Sequence, residues 1–315
     1  MDQTASEEAA WTLSASYPLK PKEPKESECC GSGCQICIFD LYELDLKRWR
    51  SKCKAISTNQ IKVAATVPII SIYQFKAFSI TEVEIISESI KLFHFEIPNG
   101  ESLGLMCGQH LMARCITSDG GYVIRPYTPV SSRKKEGSFQ VAIKIYPDGA
   151  MSRCVSEWKV GVNVEWRGPF GDYRYFPKGN GKMLLLACGT GVAPMIQVMR
   201  EILDNEEDET VIHLLYSIQY FDDILVKQVL DTMADFWNCH IVYHVTRESS
   251  STLESKKKYR DRIHYSRITG EQIRTEIGVP ADTYQVLICG TKSFSQDMEE
   301  LCTAIGFDRK SIFKF

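Results

Sequence analysis

The sequence VIRPYTPVSS gathers side chains that suit a ligand better than a β-sheet. Arg125 carries a planar fork of N–H donors that matches a phosphate group. Tyr127 offers a flat ring, and the hydroxyls of Thr128 and Ser131 can donate or accept hydrogen bonds. Pro126 has no N–H for a sheet ladder, so we expect the strand to end here. These side chains suit a ligand with a pyrophosphate, an aromatic ring system and polar ring edges; an ordinary junction between a strand and a turn is the alternative.

A second candidate is the sequence YPDGAMSRCV, in which Gly149 and Ser152 come before a short helix, predicted near residues 152–158. The first N–H groups of a helix have no partners within the helix and attract anions. This segment therefore predicts a phosphate contact, with a capped helix that binds nothing as the alternative.

Two glycine-containing turns follow later in the chain. CGTGVAP has Gly189 and Gly191 where a buried strand meets a helix, so backbone can approach a ligand and the helix dipole favours a phosphate there. Pro194 stands where the usual dinucleotide fingerprint has glycine or alanine, which makes this turn a weak indication by itself. LICGTKSF, which contains Cys289, repeats the arrangement on a later strand. Such strand ends are where open α/β sheets bind ligands.

The hydrophobic patterns predict two domains that would position these residues. From about Ile69 to Tyr175, segments such as IKLFHFEI alternate in hydrophobicity between turn signals, which is typical of an antiparallel barrel. From Lys182, apolar runs such as MLLLACG alternate with segments of helical period such as APMIQVMREIL and ILVKQVLDTMADFW, which indicates a doubly wound parallel sheet. The predicted divisions are a disordered tail at residues 1–27, a cysteine-rich unit at 28–50, a linker at 51–68, an antiparallel β-barrel domain at 69–178 and an α/β domain with a parallel sheet at 179–315.

The composition excludes several classes of protein. With 44% hydrophobic and 24% charged residues among 315, the chain has the profile of a soluble globular protein, and its formal net charge of −3 argues against a nucleic-acid partner. The acidic start MDQTASEEAAW lacks the apolar segment of a secretory signal, and no apolar run approaches the roughly 18 residues of a membrane span. We expect an intracellular protein, in the cytoplasm or on the cytosolic face of an organelle membrane, with peripheral membrane association left open.

Twelve cysteines without a secretory signal predict free thiols in a reducing compartment. Four of them, Cys29, Cys30, Cys34 and Cys37, lie close together in CCGSGCQICIFDLYELDL. Four close thiols can bind zinc or an iron–sulfur cluster, but the adjacent Cys29 and Cys30 make joint ligation of one metal awkward. We therefore predict no metal site and favour a docking or redox-responsive role for this unit.

The order of the motifs is more specific than any one of them. A barrel with R-x-Y-T-x-x-S, then G-x-M-S, then a parallel sheet with G-T-G-x-x-P and a later C-G, resembles the ferredoxin–NADP reductase superfamily and, within it, the NADH–cytochrome b5 reductases. The resemblance covers about Phe75 to Phe315, and RPYTPVSS, VAIKIY, VEWRGPFG, HLLYS and the terminal FKF fall in family order. The cysteine-rich segment separately resembles the small oxidoreductase-like domain found at the N-termini of some proteins.

The resemblance implies a fold, an activity and a role for each matching residue. It implies an FAD-binding barrel and a domain for NADH, with NADPH as an alternative coenzyme, and an enzyme that passes single electrons to cytochrome b5 or a similar haem acceptor. Arg125 would bind the FAD pyrophosphate, Tyr127 would pack along the flavin and Thr128 would hydrogen-bond near flavin N5. Cys289 would lie near the nicotinamide, so Thr128 and Cys289 are the candidate catalytic residues. The other implied cofactor-binding residues are Pro126, Ser131, Lys144, Tyr146, Gly149, Met151, Ser152, Gly189, Thr190, Gly191, Pro194, Thr246, Arg247 and Gly290.

Some positions depart from the family's pattern. Ala150 stands where the family has a lysine that docks the acceptor, and Ala193 where it has a threonine near the flavin. The segment CGTKSFSQDM lacks the family's prolines near the nicotinamide. Thr246, just before Arg247, replaces an aspartate that accepts a bond from the ribose 2′-OH of NADH and repels the 2′-phosphate of NADPH. We therefore predict weaker docking of cytochrome b5 and relaxed discrimination against NADPH, with an ordinary solvated loop as the alternative to the second prediction.

Two other functions stay open at this point. The chain could be a superfamily reductase with a different acceptor, such as a quinone or an iron–sulfur protein. It could also be a degenerate flavoprotein that serves as an interaction module through its cysteine-led N-terminus. Reduction assays with each acceptor distinguish the first alternative from a cytochrome b5 reductase. A working flavoenzyme is yellow, so the colour of the purified protein distinguishes it from the second alternative.

Overall fold

The structure is a computed structural model. It describes residues 11, 20, 21, 23, 38–57, 69–117, 120–176, 181–249, 252, 255–278 and 283–315. The four clustered cysteines lie outside these residues, so the predictions for Cys29, Cys30, Cys34 and Cys37 concern a part of the chain that is not described.

The first described helix packs against the approach to the barrel. This helix, α1, spans Ile38–Ser57 and so continues into the segment predicted as a linker. Its Trp49 is fully buried, and it shares a hydrophobic cluster with Tyr73, which lies shortly before the first barrel strand. The Trp11 ring meets Trp49 edge-on at 5.8 Å, and the Lys20 ammonium lies 5.4 Å from the centre of the Trp49 ring. Leu46, Trp49 and Cys53 of α1 therefore anchor the helix against this segment.

The first domain is a six-stranded antiparallel sheet with the strand order β4-β3-β6-β1-β2-β5. Beyond β4 the chain returns to β5, where the Val130 N–H donates to the Gln140 carbonyl at 2.9 Å, so the sheet curls towards closure. Six buried aromatic side chains of the described residues fill its interior: Phe78, Phe93, Phe95, Phe139, Trp158 and Trp166. The elements of this domain are β1 Lys76–Ser87, β2 Ile90–Glu96, β3 His110–Ile116, β4 Tyr122–Tyr127, β5 Ser138–Lys144, α2 Ala150–Ser156 and β6 Asn163–Phe170.

The second domain is a six-stranded parallel sheet with the strand order β10-β9-β8-β7-β11-β12. The central strands carry continuous apolar runs, as expected of strands buried on both faces. The two sheets together confirm the predicted fold class. The elements are β7 Lys182–Cys188, α3 Val192–Leu203, β8 Val211–Ile218, α4 Lys227–Met233, β9 Cys239–Val245, β10 Arg262–His264, α5 Gly270–Ile277, β11 Tyr284–Cys289, α6 Lys292–Ile305 and β12 Ile312–Lys314.

The helix predicted from ILVKQVLDTMADFW is shorter than its hydrophobic pattern suggested. It begins only at Lys227, because Val226 has φ 45° and lies in the left-handed region, which a β-branched residue rarely adopts. The turn before it directs Asp223 to the barrel, as described below. None of the helices in the described part of the chain is both long enough and apolar enough to span a membrane.

Candidate functional site

The end of β4 presents the predicted flavin-binding side chains at the surface of the barrel. Arg125 is exposed, and its Nη1 donates to the neighbouring Ile124 carbonyl at 2.8 Å. The Tyr127 ring lies 6.0 Å from the Trp166 ring, and burial raises the pKa of its hydroxyl, which stays protonated at neutral pH. Pro126 is exposed and Thr128 is half-buried. The guanidinium, ring and hydroxyl expected to meet a ligand therefore lie on one strand end.

Two of the predicted serines bond to the backbone. The buried Ser131 accepts a hydrogen bond from the Gln140 N–H at 3.0 Å, and this bond ties the turn after β4 to β5. The buried Ser152 accepts from the N–H of the exposed Tyr146 at 2.9 Å. Both hydroxyls therefore shape the loops beside the β4 end, whatever else they contact.

The start of α2 is open to a further partner. Gly149 precedes the helix, and no side chain caps the first turn. A Cβ at Gly149 would lie 2.7 Å from the Ser152 Oγ, so a side chain here would crowd the turn. Met151 is buried and belongs to the barrel core, which anchors the helix. The uncapped N–H groups suit an anion, as the sequence predicts.

The two glycine turns meet at the point where the order of the parallel strands reverses. From β7 the chain moves through β8 to β10 on one side, and β11 and β12 lie on the other. A Cβ at Gly191 would lie 2.4 Å from the Cys289 carbonyl oxygen, and one at Gly290 would lie 2.9 Å from the Cys188 Cβ. Gly189 has φ 53°, in the left-handed region that favours glycine. Such a switch point is where α/β sheets bind nucleotides.

The other predicted residues of this turn lie beside it. Thr190 is half-buried within the short turn Gly189–Gly191. Pro194 and Ala193 are buried in the first turn of α3, where proline is tolerated because the first N–H groups of a helix need no partner within it.

The thiol of Cys289 is neutral at physiological pH. Burial, together with the nearby Cys188 thiol, raises its pKa to about 12. Burial also raises the pKa of Cys188, which the Lys144 ammonium lowers in part. A neutral, half-buried thiol suits contact with an uncharged ring and does not suit acid–base chemistry. The effect of Lys144 on Cys188 also shows that the end of β5 lies near the switch point.

An aspartate that the sequence analysis missed joins the two domains. The Asp223 carboxylate, in the loop after β8, accepts hydrogen bonds from the Ser87 hydroxyl at 2.7 Å and the Ser89 hydroxyl at 3.3 Å, both in the barrel. It also forms an ion pair with Lys144 at 3.2 Å, and the two side chains are only 9% and 17% exposed. Asp223 therefore orients the lysine that the sequence predicts to contact flavin.

The pair predicted to select the coenzyme lies at the carboxyl end of β9. Thr246 and Arg247 are exposed, and the Thr246 N–H and hydroxyl donate to the Ile218 carbonyl at 3.0 and 3.1 Å. Among the described residues, the Arg247 guanidinium forms no ion pair. The basic run that follows is largely neutralised, because Lys256 bonds to both Asp222 and Glu248 at 2.7 Å. Lys258 and Arg260 likewise pair with Asp231 and Asp235.

A second feature that the sequence analysis missed is a cluster of possible metal ligands on the outside of the barrel. Ligand atoms of Glu82, Glu84 and His94 lie within 4.8 Å of one another. The cluster exists because β1 pairs with β2 and places Glu82 opposite His94. Both ring nitrogens of His94 already contact a carboxylate, at 3.4 Å for Glu82 and 2.6 Å for Glu84. Only knowledge of the strand register would have brought these residues together.

Comparison with known families finds three matches, which follow one another along the chain in the same order as the predicted units. An oxidoreductase FAD-binding domain matches residues 77–175, and an oxidoreductase NAD-binding domain matches residues 185–300. The N-terminal domain of oxidoreductase-like proteins matches residues 15–58.

Known proteins resemble the chain over nearly its whole length. It is 37% identical over 303 residues to the mouse protein named NADH-cytochrome b5 reductase-like, a match that covers 94% of this chain and 95% of that one. The human protein of the same name is 36% identical over 311 residues, covering 98% and 96%. Among solved structures, the cytochrome b5 reductase domain of Ulva prolifera nitrate reductase superposes with a TM-score of 0.69 at 26% identity, covering 79% of this chain and 100% of that one.

Proposed function

The chain belongs to the NADH–cytochrome b5 reductase family, as the order of its motifs predicted, and we propose that it delivers electrons from NADH to cytochrome b5 or a similar haem protein. It is an FAD-dependent oxidoreductase that uses a pyridine nucleotide. The observation that carries the proposal is the meeting of the two domains at the switch point. There Gly191 packs on Cys289 within the parallel-sheet domain, and Lys144 from the barrel forms an ion pair with Asp223 of that domain at 3.2 Å.

The residues present fit both cofactors. The exposed Arg125 guanidinium and the uncapped start of α2 supply donors for a pyrophosphate. The glycine turns let backbone approach a nucleotide at the switch point. When bound, the nicotinamide supplies hydride, and the flavin accepts it and releases electrons one at a time.

The chain's own residues bind and orient in this proposal. Arg125 neutralises phosphate charge, and Tyr127 covers the ligand with a neutral ring. The Thr128 hydroxyl bonds at the edge of the flavin ring. Cys289 packs as a neutral thiol near the nicotinamide, and Asp223 holds Lys144 in place. No side chain needs to move a proton, since the chemistry belongs to the cofactors.

The exposed Thr246 supports a relaxed choice of coenzyme. A threonine leaves no negative charge to repel a 2′-phosphate, and Arg247 beside it remains available for pairing within the described part of the chain. Because Lys256, Lys258 and Arg260 are paired with carboxylates, Arg247 is a cation that would favour NADPH. We expect NADH to be used, and NADPH to be used better than in relatives with aspartate at this position.

The experiment that tests the function is anaerobic titration of the purified yellow protein with NADH and with NADPH, followed by assays with cytochrome b5, a quinone and a ferredoxin. Bleaching of the flavin spectrum by NADH and fastest reduction of cytochrome b5 are the expected results. A colourless protein that NADH does not alter would favour the interaction module. Faster reduction of the quinone or the ferredoxin than of cytochrome b5 would contradict a haem protein as the acceptor.

The substitution Ala150→Lys sharpens the acceptor assay. Ala150 is the first residue of α2 and half-buried, so a lysine there can extend to the surface. Charges at the rim of an interface mainly set the association rate. We expect Ala150→Lys to raise the rate of cytochrome b5 reduction at low salt and to steepen its fall with salt. Ferricyanide, a small acceptor that needs no docking face, is the control and should be reduced at an unchanged rate.

A further inference from the structure

Two half-buried cysteines lie against each other on the barrel. Cys115 is on β3 and Cys154 is on α2, and both are free thiols. Both donate to the carbonyl oxygen of Ile116, at sulfur–oxygen distances of 3.7 and 3.5 Å. The two thiols also contact each other. The topology thus places two sulfurs from distant parts of the chain at one point.

This pair lies beside the residues that suit the flavin. Strand β3 pairs directly with β4, which places Cys115 opposite Val123 and Ala113 opposite Arg125. The Tyr127 hydroxyl is close enough to both thiols for their charges to act on its pKa. Helix α2 carries Cys154 within its seven residues and begins next to Gly149. A bond between the two sulfurs would therefore join β3 to the helix that suits the pyrophosphate.

We propose that Cys115 and Cys154 form a reversible redox modification site, in which a hydroperoxide closes the pair to a disulfide that ties α2 to β3. First, one of the two sulfurs attacks a peroxide oxygen, the O–O bond breaks, and the leaving oxygen takes the proton of that thiol as water or an alcohol. This cysteine is then a sulfenic acid. Next, the sulfur of the other cysteine attacks the sulfenic sulfur, the S–O bond breaks, and the hydroxide leaves with the second thiol's proton as water. The two thiols lose two electrons in all, and a dithiol reductant returns them.

The geometry suits either order of reaction. Both sulfurs contact the Ile116 carbonyl oxygen, at 3.7 Å for Cys115 and 3.5 Å for Cys154. Whichever thiol meets the peroxide first, the other is held beside it and needs only a short movement to form the bond.

The expected consequence rests on the proposed function. Helix α2 is short and is anchored by the buried Met151 and Val155, and short elements of this kind open locally before a domain unfolds. A crosslink to β3 suppresses that opening. In the proposed function the start of α2 holds the flavin pyrophosphate, so a crosslink that keeps this helix in place should slow the loss of FAD.

Peptide mapping of the unmodified full-length protein tests the site. The protein is treated with hydrogen peroxide, its free thiols are blocked with N-ethylmaleimide, and it is digested with trypsin without reductant. Cleavage after Arg114, Arg133, Arg153 and Lys159 yields the peptides CITSDGGYVIRPYTPVSSR and CVSEWK. We expect the two to be recovered as one crosslinked species that dithiothreitol separates. Recovery of both as singly blocked peptides, or of Cys154 only as higher oxides, overturns the proposal.

Release of FAD tests the consequence. Flavin fluorescence after dilution should show release slowed roughly threefold or more by oxidation, and Cys115→Ser and Cys154→Ser should each abolish the slowing. A control with serine at Cys29, Cys30, Cys34 and Cys37 should keep it. Slowing that persists in Cys154→Ser, or a crosslink that leaves release unchanged, overturns the link to the flavin. A protein without FAD contradicts the proposed function, while the peptide map still decides whether the site exists.

Discussion

The barrel and the parallel sheet contribute to the candidate site in different ways. The barrel offers side chains at the end of β4, where Arg125 is exposed and Thr128 is half-buried. The parallel sheet offers backbone, because Gly191 and Gly290 bring two turns together. An exposed side chain can be removed with little effect on the fold, whereas a methyl group placed between packed turns must displace backbone. The comparison therefore predicts binding defects in barrel variants and folding defects in turn variants.

The largest effect is expected from Gly191→Ala. The added Cβ would lie 2.4 Å from the Cys289 carbonyl oxygen, so β7 and β11 must separate or the turn must rearrange. We expect a loss of roughly 3 kcal/mol of stability and loss of NADH binding, measured by denaturant unfolding and by titration calorimetry. Gly270→Ala is the matched control, since its Cβ would meet no atom closer than 3.7 Å. Equal stability of the two variants would contradict the packing of the turns.

Asp223→Asn tests the contact that joins the two regions. The amide keeps its size but leaves the Lys144 ammonium without its counter-charge at a position only 17% exposed. Removing one partner of a buried ion pair is costly, and we expect a loss of roughly 2 kcal/mol. The control is the adjacent Asp222→Asn, whose side chain is 60% exposed. In a double-mutant cycle, Lys144→Met should cost less in the Asp223→Asn background than alone; additive effects would mean that the pair contributes nothing.

Arg125→Ala should separate binding from folding. Arg125 is exposed and, among the described residues, its side chain bonds only to the adjacent Ile124 carbonyl, so unfolding of the apoprotein should be unchanged. Hydrogen bonds to charged groups contribute roughly 1.5–3 kcal/mol, so we expect FAD to bind about 10-fold to 100-fold more weakly. Flavin absorbance after gel filtration measures this, with the exposed Lys134→Ala as the control. Full flavin occupancy in Arg125→Ala would show that another group holds the phosphates.

The smallest effect is expected from Thr246→Asp. A carboxylate at the end of β9 should repel a 2′-phosphate and lower kcat/KM for NADPH by about tenfold, while NADH is little affected. Kinetics with both coenzymes measure the ratio. Thr275→Asp on α5 adds the same charge elsewhere and should leave the ratio unchanged. If the natural protein already rejects NADPH as strongly as the aspartate variant does, Thr246 does not relax the choice.

The sequence by itself determined the fold class, the family and the order of the motifs. Alternating hydrophobicity and apolar runs that end in glycine are local patterns, and local patterns suffice to distinguish an antiparallel barrel from a parallel sheet. The chemistry of VIRPYTPVSS and CGTGVAP also lies within a few neighbouring residues. The role of Thr246 is a prediction that the Thr246→Asp variant tests, and the roles of Thr128 and Cys289 stay predictions.

Only the tertiary structure decided which distant residues meet. Lys144 and Asp223 are 79 positions apart, and no pattern near either one indicates the other. Cys115 and Cys154 come together because β3 and α2 pack side by side, and α4 begins at Lys227 because Val226 adopts a left-handed conformation. Contacts of this kind depend on how whole elements pack, and the free energy of that packing is a property of the assembled core. A local pattern can therefore predict each element and still leave open which of its side chains act together.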